Sequence, residues 1–187
     1  MFNSLFIAKN CKQLAMEAAA AHKRFQKIFP QTNSTASTTF KEFRKYKHHT
    51  GFRYYNIFSL CAPSEVFAGL FLELKGLISI AMPRERIVYV QAWLNYQKKD
   101  EVLQWHTHEG FDFHGYICIE PRLTVTEFDG YTITNSPGLM YLGPCSIPHR
   151  VVNLKLYKEA RITIGFDVVK PGNKYTDNLG FIPIIIN

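Results

Sequence analysis

The sequence predicts a mainly β fold, a jelly roll with two helices from its N-terminal half packed on one sheet. Two observations carry that expectation. After Pro83 the chain breaks into short β-branched and aromatic runs: RIVYVQAWLNY, HGYICIE, LTVTEFDG, YTITN, GLMYLG, HRVVNL and ARITIGFDVV. Turn signals such as Asp129-Gly130 and Ser136-Pro137-Gly138 separate them, and evenly spaced short strands close into a sandwich or barrel. Before Pro83 the pattern is helical, and helices gathered in one half of a chain cover one face of the sheet that the other half makes.

The first helix is expected from Asn10 to Ile28. NCKQLAMEAAAAHKRFQKI is rich in Ala, Lys and Gln, Leu14, Ala18, Ala21 and Phe25 recur near helical spacing, and Pro30 lies beyond the end. QTNSTASTT, residues 31–39, reads as a polar loop. The second helix follows Ser64, an N-cap with Glu65 in the first turn, and runs through EVFAGLFLELKGLISIAM to Pro83. It is apolar on most faces and is expected to be buried. A chain of 187 residues, 47% hydrophobic, supports one well-buried core. The expected organisation is therefore a single domain, 1–187, with an N-terminal helical and loop extension (1–86), a strand core (87–169) and a C-terminal segment (170–187).

Composition narrows the function classes. The formal net charge of +7 suits an anionic partner and equally suits solubility alone. Cys11, Cys61, Cys118 and Cys145 lie far apart without a C-x-x-C pair, which argues against a zinc ribbon or a secreted disulfide framework and for a cytoplasmic location. The opening MFNSLFIAKNCKQLAMEAAAAHKRF is broken by Lys9 and Lys12 and lacks the basic head and continuous apolar block of a signal peptide. No run reaches the roughly 20 apolar residues of a membrane helix, so no membrane partner is expected.

Side chains alternate across a strand, so the H-x-H pair His106 and His108 in QWHTHEGFDFHGYICIE shares one face wherever residues 104–108 are extended. One metal ion can then take both imidazoles. His149 follows in GPCSIPHRVVN, where Pro144 and Pro148 restrain the backbone before the strand pattern returns. Each histidine alone is accounted for by a surface or core role. Their company points further: RIT sets Arg161 and Thr163 on one face of a strand that continues IGFDVV. An arginine facing an apolar interior needs an anion, because an unpaired buried charge costs several kcal/mol, and a carboxylate fits its planar fork. The two pairs together indicate a metal beside a dicarboxylate.

The order WLNYQKKDEVLQWHTH, GYICIE, GLMYLG, HRV and RIT with GF resembles the Fe(II)- and 2-oxoglutarate-dependent dioxygenases over residues 87–169, with nothing of it in residues 1–86. Those enzymes carry an H-x-D or H-x-E pair, a distal histidine, and R-x-S or R-x-T on the last barrel strands. Within them the chain is similar to a small H-x-H branch and, more loosely, to prolyl-hydroxylase-like members. The resemblance implies a double-stranded β-helix that uses Fe(II), 2-oxoglutarate and dioxygen to hydroxylate an unidentified substrate, releasing succinate and CO2. It implies His106 and His149 as iron ligands, Arg161 and Thr163 on the distal carboxylate of 2-oxoglutarate, and Tyr96 touching that same carboxylate. Thr126 and Asn135 are further candidates for cosubstrate contact, and no catalytic residue beyond the metal centre is implied. Where the family carries its carboxylate ligand this chain has His108. Three arrangements are open: a three-histidine face, a loop carboxylate from Asp112 or Glu109, or two protein ligands alone. Strand alternation favours His108 over Asp112.

HTH and HRVVN, with Asn153 after His149, also resemble cupin motifs, which implies an alternative: a three-histidine metal dioxygenase that does not use 2-oxoglutarate. A different class rests on FKEFRKYKHHTGFRYY, residues 40–55, where Lys41, Arg44, Lys45, Lys47 and Arg53 alternate with Phe43, Tyr46, Phe52, Tyr54 and Tyr55. Basic groups contact phosphates and aromatics stack on bases, so this stretch is either a surface for nucleic acid or an anionic substrate, or a solvated flap over the barrel mouth. Trp105 beside the histidine pair, with Arg44 and Lys45, is a candidate substrate contact. Trp93 and His114 read as structural, and Cys145 as a small packed residue without an activating neighbour.

Overall fold

The computed structural model describes residues 1–28, 55–97, 103–177 and 180–186. The elements are β1 (Phe2–Asn3), α1 (Leu5–Ile28), α2 (Ile57–Leu60), α3 (Glu65–Ala81), β2 (Ile87–Gln97), β3 (Phe113–Glu120), β4 (Thr124–Phe128), β5 (Tyr131–Thr134), β6 (Leu139–Pro144), β7 (His149–Asn153), β8 (Arg161–Val169) and β9 (Phe181–Ile185). The expected loop at 31–39 and most of the basic stretch, Arg44 and Lys45 included, lie outside the described residues. Tyr55, the last aromatic of that stretch, is buried against Phe25 and accepts a hydrogen bond from Leu94 N at 3.0 Å, so it serves the core and not a nucleic-acid surface.

Both expected helices form. α1 begins earlier than its Ala-rich pattern suggests because Ser4 caps it: its Oγ accepts from Ile7 N at 3.1 Å, and its own N–H is held by Gly138 O at 2.9 Å. Ser64 caps α3 as expected, accepting from Phe67 N at 3.2 Å. Burial of α3 is narrower than its composition suggests. Val66, Phe67, Leu70, Leu74 and Ile78 form one buried stripe, while Leu72 and Ile80 are 65% and 76% exposed. No helix among the described residues is long and apolar enough to cross a membrane.

The strands form an antiparallel six-stranded sheet in the order β1-β6-β3-β8-β2-β9 and a three-stranded sheet in the order β5-β4-β7. The chain at His106 extends the smaller sheet. His106 and His149 exchange both backbone hydrogen bonds at 3.0 Å, and Val151 N donates to Leu103 O at 2.9 Å. From β2 to β8 the chain thus moves between sheets, with β2, β3, β6 and β8 in the larger and the His106 segment, β4, β5 and β7 in the smaller. This is the winding of a double-stranded β-helix, or jelly roll, with helices on one sheet. β9, in a segment with no strand pattern assigned to it, pairs along β2 as an edge strand, where its Pro183 is tolerated because an edge residue needs no second partner.

Register determines what each face does. Gln97, Asn95, Trp93 and Gln91 of β2 stand opposite Arg161, Thr163, Gly165 and Asp167 of β8, and Cys118, Tyr116 and His114 of β3 stand opposite the last three of these. These alternate residues face the interior between the sheets. The intervening ones, Val88, Val90, Ala92, Leu94, Ile117, Ile119, Ile162, Ile164, Phe166 and Val168, join the buried faces of α1 and α3 in one apolar cluster. Each fully buried Val, Leu, Ile or Phe there contributes about 1.5–3 kcal/mol. The helices therefore seal one face, and the other is left to carry polar groups at full burial.

Candidate metal centre

Among the described residues His106, His108 and His149 converge. Ring centroids are 4.2 Å apart for His106 and His149, 5.1 Å for His106 and His108, and 5.4 Å for His108 and His149, and one nitrogen from each lies within 4.8 Å of the others. The cause differs in part from strand alternation. Residues 104–108 lie outside any named strand, and only His106 makes a bridge. His108 is placed separately by its own backbone N–H, which donates to Cys145 O at 3.0 Å.

The other ring nitrogen of each histidine is engaged. His106 Nδ1 lies 2.7 Å from Gln104 O, His149 Nδ1 lies 3.3 Å from Ile147 O, and His108 Nδ1 lies 3.0 Å from Asp167 Oδ1. An acceptor at each Nδ1 holds the proton there and leaves Nε2 with a lone pair, the arrangement that metal-ligating histidines use. His108 Nε2 is buried and has no hydrogen-bond partner among the described residues. Burial, then the nearby His108, pushes His106 down to about 4, and burial, then His114, pushes His149 down to about 2. Both are neutral at pH 7, as a ligand must be. The donor set fits a divalent first-row transition metal.

A second layer lies beneath. Asp167, fully buried on β8, also accepts from His114 Nδ1 at 2.9 Å, and the His114 ring stacks on His108 at 3.5 Å between centroids and 15° between planes. Burial works to raise the Asp167 carboxyl, but charge and hydrogen bonds from His108 and His114 outweigh it and hold it below the usual carboxylate range. Burial, then His108, pushes His114 down to about 3. His114, His108 and Asp167 thus make a second group whose ligand atoms lie within 4.8 Å of one another. Sequence reading set His114 aside as structural and passed over Asp167. The available signal was an acid inside the otherwise uncharged and mostly apolar run ITIGFDVV, since a charge in a buried strand must be paired.

Asp112 does not reach this cluster. Its Oδ2 accepts from Lys170 N at 2.9 Å and from Asn173 Nδ2 at 3.5 Å, closing the loop after β8, and Glu109 is exposed. Asp112 is in neither group of converging ligand atoms, whereas His108 is in both.

On the same face of β8, at the other end from Asp167, Arg161 is 2% exposed. Its Nη1 donates to Gln97 Oε1, while its Nε and Gln97 Nε2 have no hydrogen-bond partner, and no acid pairs with it, among the described residues. Burial lowers its affinity for its proton, partly offset by Cys118, Tyr157 and Tyr116. Thr163 shares its face and accepts from Asn95 Nδ2 at 3.4 Å. Tyr96 does not share it: the register sets Tyr96 opposite Ile162, and it packs against the helix-side cluster. The β2 residues facing Arg161 and Thr163 are Gln97 and Asn95, which alternation along QAWLNYQ could have picked out. Thr126 donates to Asn135 Oδ1 at 3.2 Å, and Asn135 Nδ2 donates to Thr124 Oγ1 at 3.1 Å, so these side chains are occupied with one another.

Trp93 is buried, donates from Nε1 to Asn95 Oδ1 at 3.1 Å, and stacks 6.0 Å from His108. Gly165 makes room for it, since a Cβ there would lie 2.7 Å from the indole. Trp105 is 41% exposed, with the Arg150 guanidinium 5.1 Å above its ring. Cys145 is half-buried, donates from Sγ to Phe111 O at 2.6 Å, and is raised by burial, which makes it a poor nucleophile.

No family model and no curated protein matches the chain. Similar solved structures include a cupin-2 domain containing protein from Shewanella frigidimarina, 21% identical, covering 41% of this chain and 68% of that one with a TM-score of 0.33. KdgF from Halomonas sp. is 19% identical, covering 46% of this chain and 82% of that one with a TM-score of 0.36. A 2OG-Fe(II) oxygenase family oxidoreductase from Burkholderia pseudomallei is 13% identical, covering 55% of this chain and 57% of that one with a TM-score of 0.43. Strand order and register define the molecule without them: a jelly roll whose interior gathers histidines in an arrangement able to hold a metal ion.

Proposed function

We propose that the chain is a non-haem iron oxygenase that uses 2-oxoglutarate to hydroxylate a substrate, releasing succinate and CO2. One observation carries the cosubstrate: Arg161 is a buried cation with a bare Nε and no acid beside it among the described residues, on the interior face that also holds the histidines. A buried charge of this kind calls for an anionic ligand, and a carboxylate suits the guanidinium fork. His106, His108 and His149 would hold the iron, which when bound supplies the activation of dioxygen coupled to oxidative decarboxylation of the cosubstrate.

The protein's own share is positioning. Acceptors at Gln104, Ile147 and Asp167 fix which nitrogen each imidazole offers. Arg161 grips the distal carboxylate and Thr163 Oγ1, already an acceptor from Asn95, offers its proton to the same group. Trp93, Tyr116 and Phe128 wall the interior with buried aromatic surface and exclude water. No side chain is asked to act as acid, base or nucleophile.

A second reading is favoured by the imidazole-only donor set: a cupin-type metal dioxygenase that leaves 2-oxoglutarate aside. Anaerobic titration with Fe(II) and then 2-oxoglutarate separates the two. A weak visible charge-transfer band on adding 2-oxoglutarate supports the first reading. Iron binding without a band and without 2-oxoglutarate affinity overturns it in favour of the second.

A further inference from the structure

We propose that Asp167 is a positioning residue that makes His108 the most basic imidazole of the metal set, with His114 bracing the same carboxylate oxygen alongside it. The inference rests on the metal reading of His106, His108 and His149 but needs no cosubstrate. Asp167 is fully buried, pairs with no Lys or Arg among the described residues, and directs Oδ1 at two imidazole nitrogens, His108 Nδ1 at 3.0 Å and His114 Nδ1 at 2.9 Å. Its Oδ2 has no hydrogen-bond partner among the described residues. A carboxylate so placed is stabilised by positive charge, and His108 can transmit it. One end of that ring meets Asp167, and the other end, Nε2, is the buried nitrogen left without a partner among the described residues.

A carboxylate–imidazole–metal line follows, in which hydrogen bonding to the carboxylate raises the basicity of the ligating nitrogen. In an H-x-carboxylate site the negative charge touches the metal directly. Here it stands one ring back, so three neutral imidazoles hold a divalent cation with a carboxylate behind one of them. His114 has the place of a brace. It occupies the same Oδ1, stands opposite Asp167 in the β3–β8 register, and lies 15° from the plane of His108, which fixes the ring's tilt from behind.

The test is metal affinity, read by competition with a chromophoric chelator, using Co(II) alone and no cosubstrate. Asp167→Asn keeps size and an acceptor but removes the charge, and Co(II) affinity should fall about ten- to a hundredfold. In a His108→Ala background the same substitution should change affinity by less than twofold, because Asp167 acts through that ring. His114→Gln, which can still donate to Oδ1, should change affinity by less than about threefold and leave the Co(II) visible spectrum unaltered. Equal affinity in Asp167→Asn and the unaltered chain overturns the proposal, as does an additive loss in the His108→Ala background. A loss in His114→Gln as large as in His108→Ala would make His114 a ligand and overturn its role as a brace. Should Asp167→Asn fail to fold, the unaltered chain still decides: nitrogen NMR must show the His108 proton on Nδ1, and a proton on Nε2 overturns the proposal. If the unaltered chain binds no Co(II) at all, the metal reading itself falls, an outcome distinct from all of these.

Discussion

Arg161→Ala separates the 2-oxoglutarate reading from its rivals. The side chain is buried, and its only hydrogen bond among the described residues goes from Nη1 to Gln97 Oε1. On the proposed reading, removing it would take away the charge-assisted contact to the cosubstrate and leave the bound carboxylate buried and unpaired, together worth on the order of 2–5 kcal/mol. At about 1.4 kcal/mol per factor of ten, the dissociation constant for 2-oxoglutarate should rise by at least tenfold. Fe(II) affinity should change little, since no proposed ligand is touched. Arg161→Lys should recover part of the loss, because a point charge reaches the carboxylate without reproducing the planar fork. Anaerobic calorimetry, titrating Fe(II) into the metal-free protein and then 2-oxoglutarate into the iron-loaded protein, measures both affinities. If 2-oxoglutarate binding is unchanged in Arg161→Ala, the cosubstrate assignment is wrong and the metal assignment still stands.

His106→Ala and His149→Ala should each abolish metal binding and succinate formation while circular dichroism stays native, and normal succinate production in either would remove that residue from the site. Gly165→Ala drives a Cβ to within 2.7 Å of the Trp93 indole, so the melting temperature should fall with an overpacking cost of about 1–3 kcal/mol, and displacement of Trp93 should also weaken metal binding; an unaltered melt would show that Trp93 is not the constraint. His22 on α1 is buried, neither ring nitrogen has a partner among the described residues, and burial lowers its affinity for a proton from the ordinary 6.5. The unfolded chain therefore binds more protons there, so stability is intact above pH 6.5 and is lost as pH falls below it. His22→Leu should shrink the drop in melting temperature between about pH 7 and pH 5, and an equal drop would clear His22 of that role.

The fold was readable because its signals are local. Turn residues bounded each strand from β2 to β8, and Ser64 and Pro83 bracketed α3. β9 was missed because FIPII carries a proline that demotes any strand pattern, and only pairing along β2 shows that an edge position tolerates it. The H-x-H pair was visible in three adjacent letters, yet its convergence comes from two separate backbone anchors, His149 for one and Cys145 for the other. What sequence spacing could not supply was register. Alternation says that Tyr96 and Asn95 face opposite sides, but only the pairing of Asn95 with Thr163 and of Tyr96 with Ile162 says which of them meets Arg161. The same holds for Asp167 and His114, which lie far apart in the chain and directly opposite in the sheet.

Register also explains why β8 is buried along its whole length while carrying two charges. Its helix-facing residues, Ile162, Ile164, Phe166 and Val168, supply apolar burial, and that packing holds Arg161, Thr163, Gly165 and Asp167 in a rigid inward row. Arg161 and Asp167 stand at opposite ends of the row with Gly165 and Thr163 between them, and each is hydrogen-bonded to a side chain other than its counterpart: Gln97 for the arginine, His108 and His114 for the aspartate. Had they paired with each other, neither would have charge to direct at a ligand. Held apart in a low-dielectric interior, the cation end favours an anion and the anion end favours a cation, and the strand itself contributes no net charge. A divalent metal on the His108 side and a doubly charged dicarboxylate on the Arg161 side would each be electrostatically incomplete alone and would neutralise one another together. On the proposed reading the metal and the dicarboxylate would therefore favour each other's binding, and that coupling would be reciprocal.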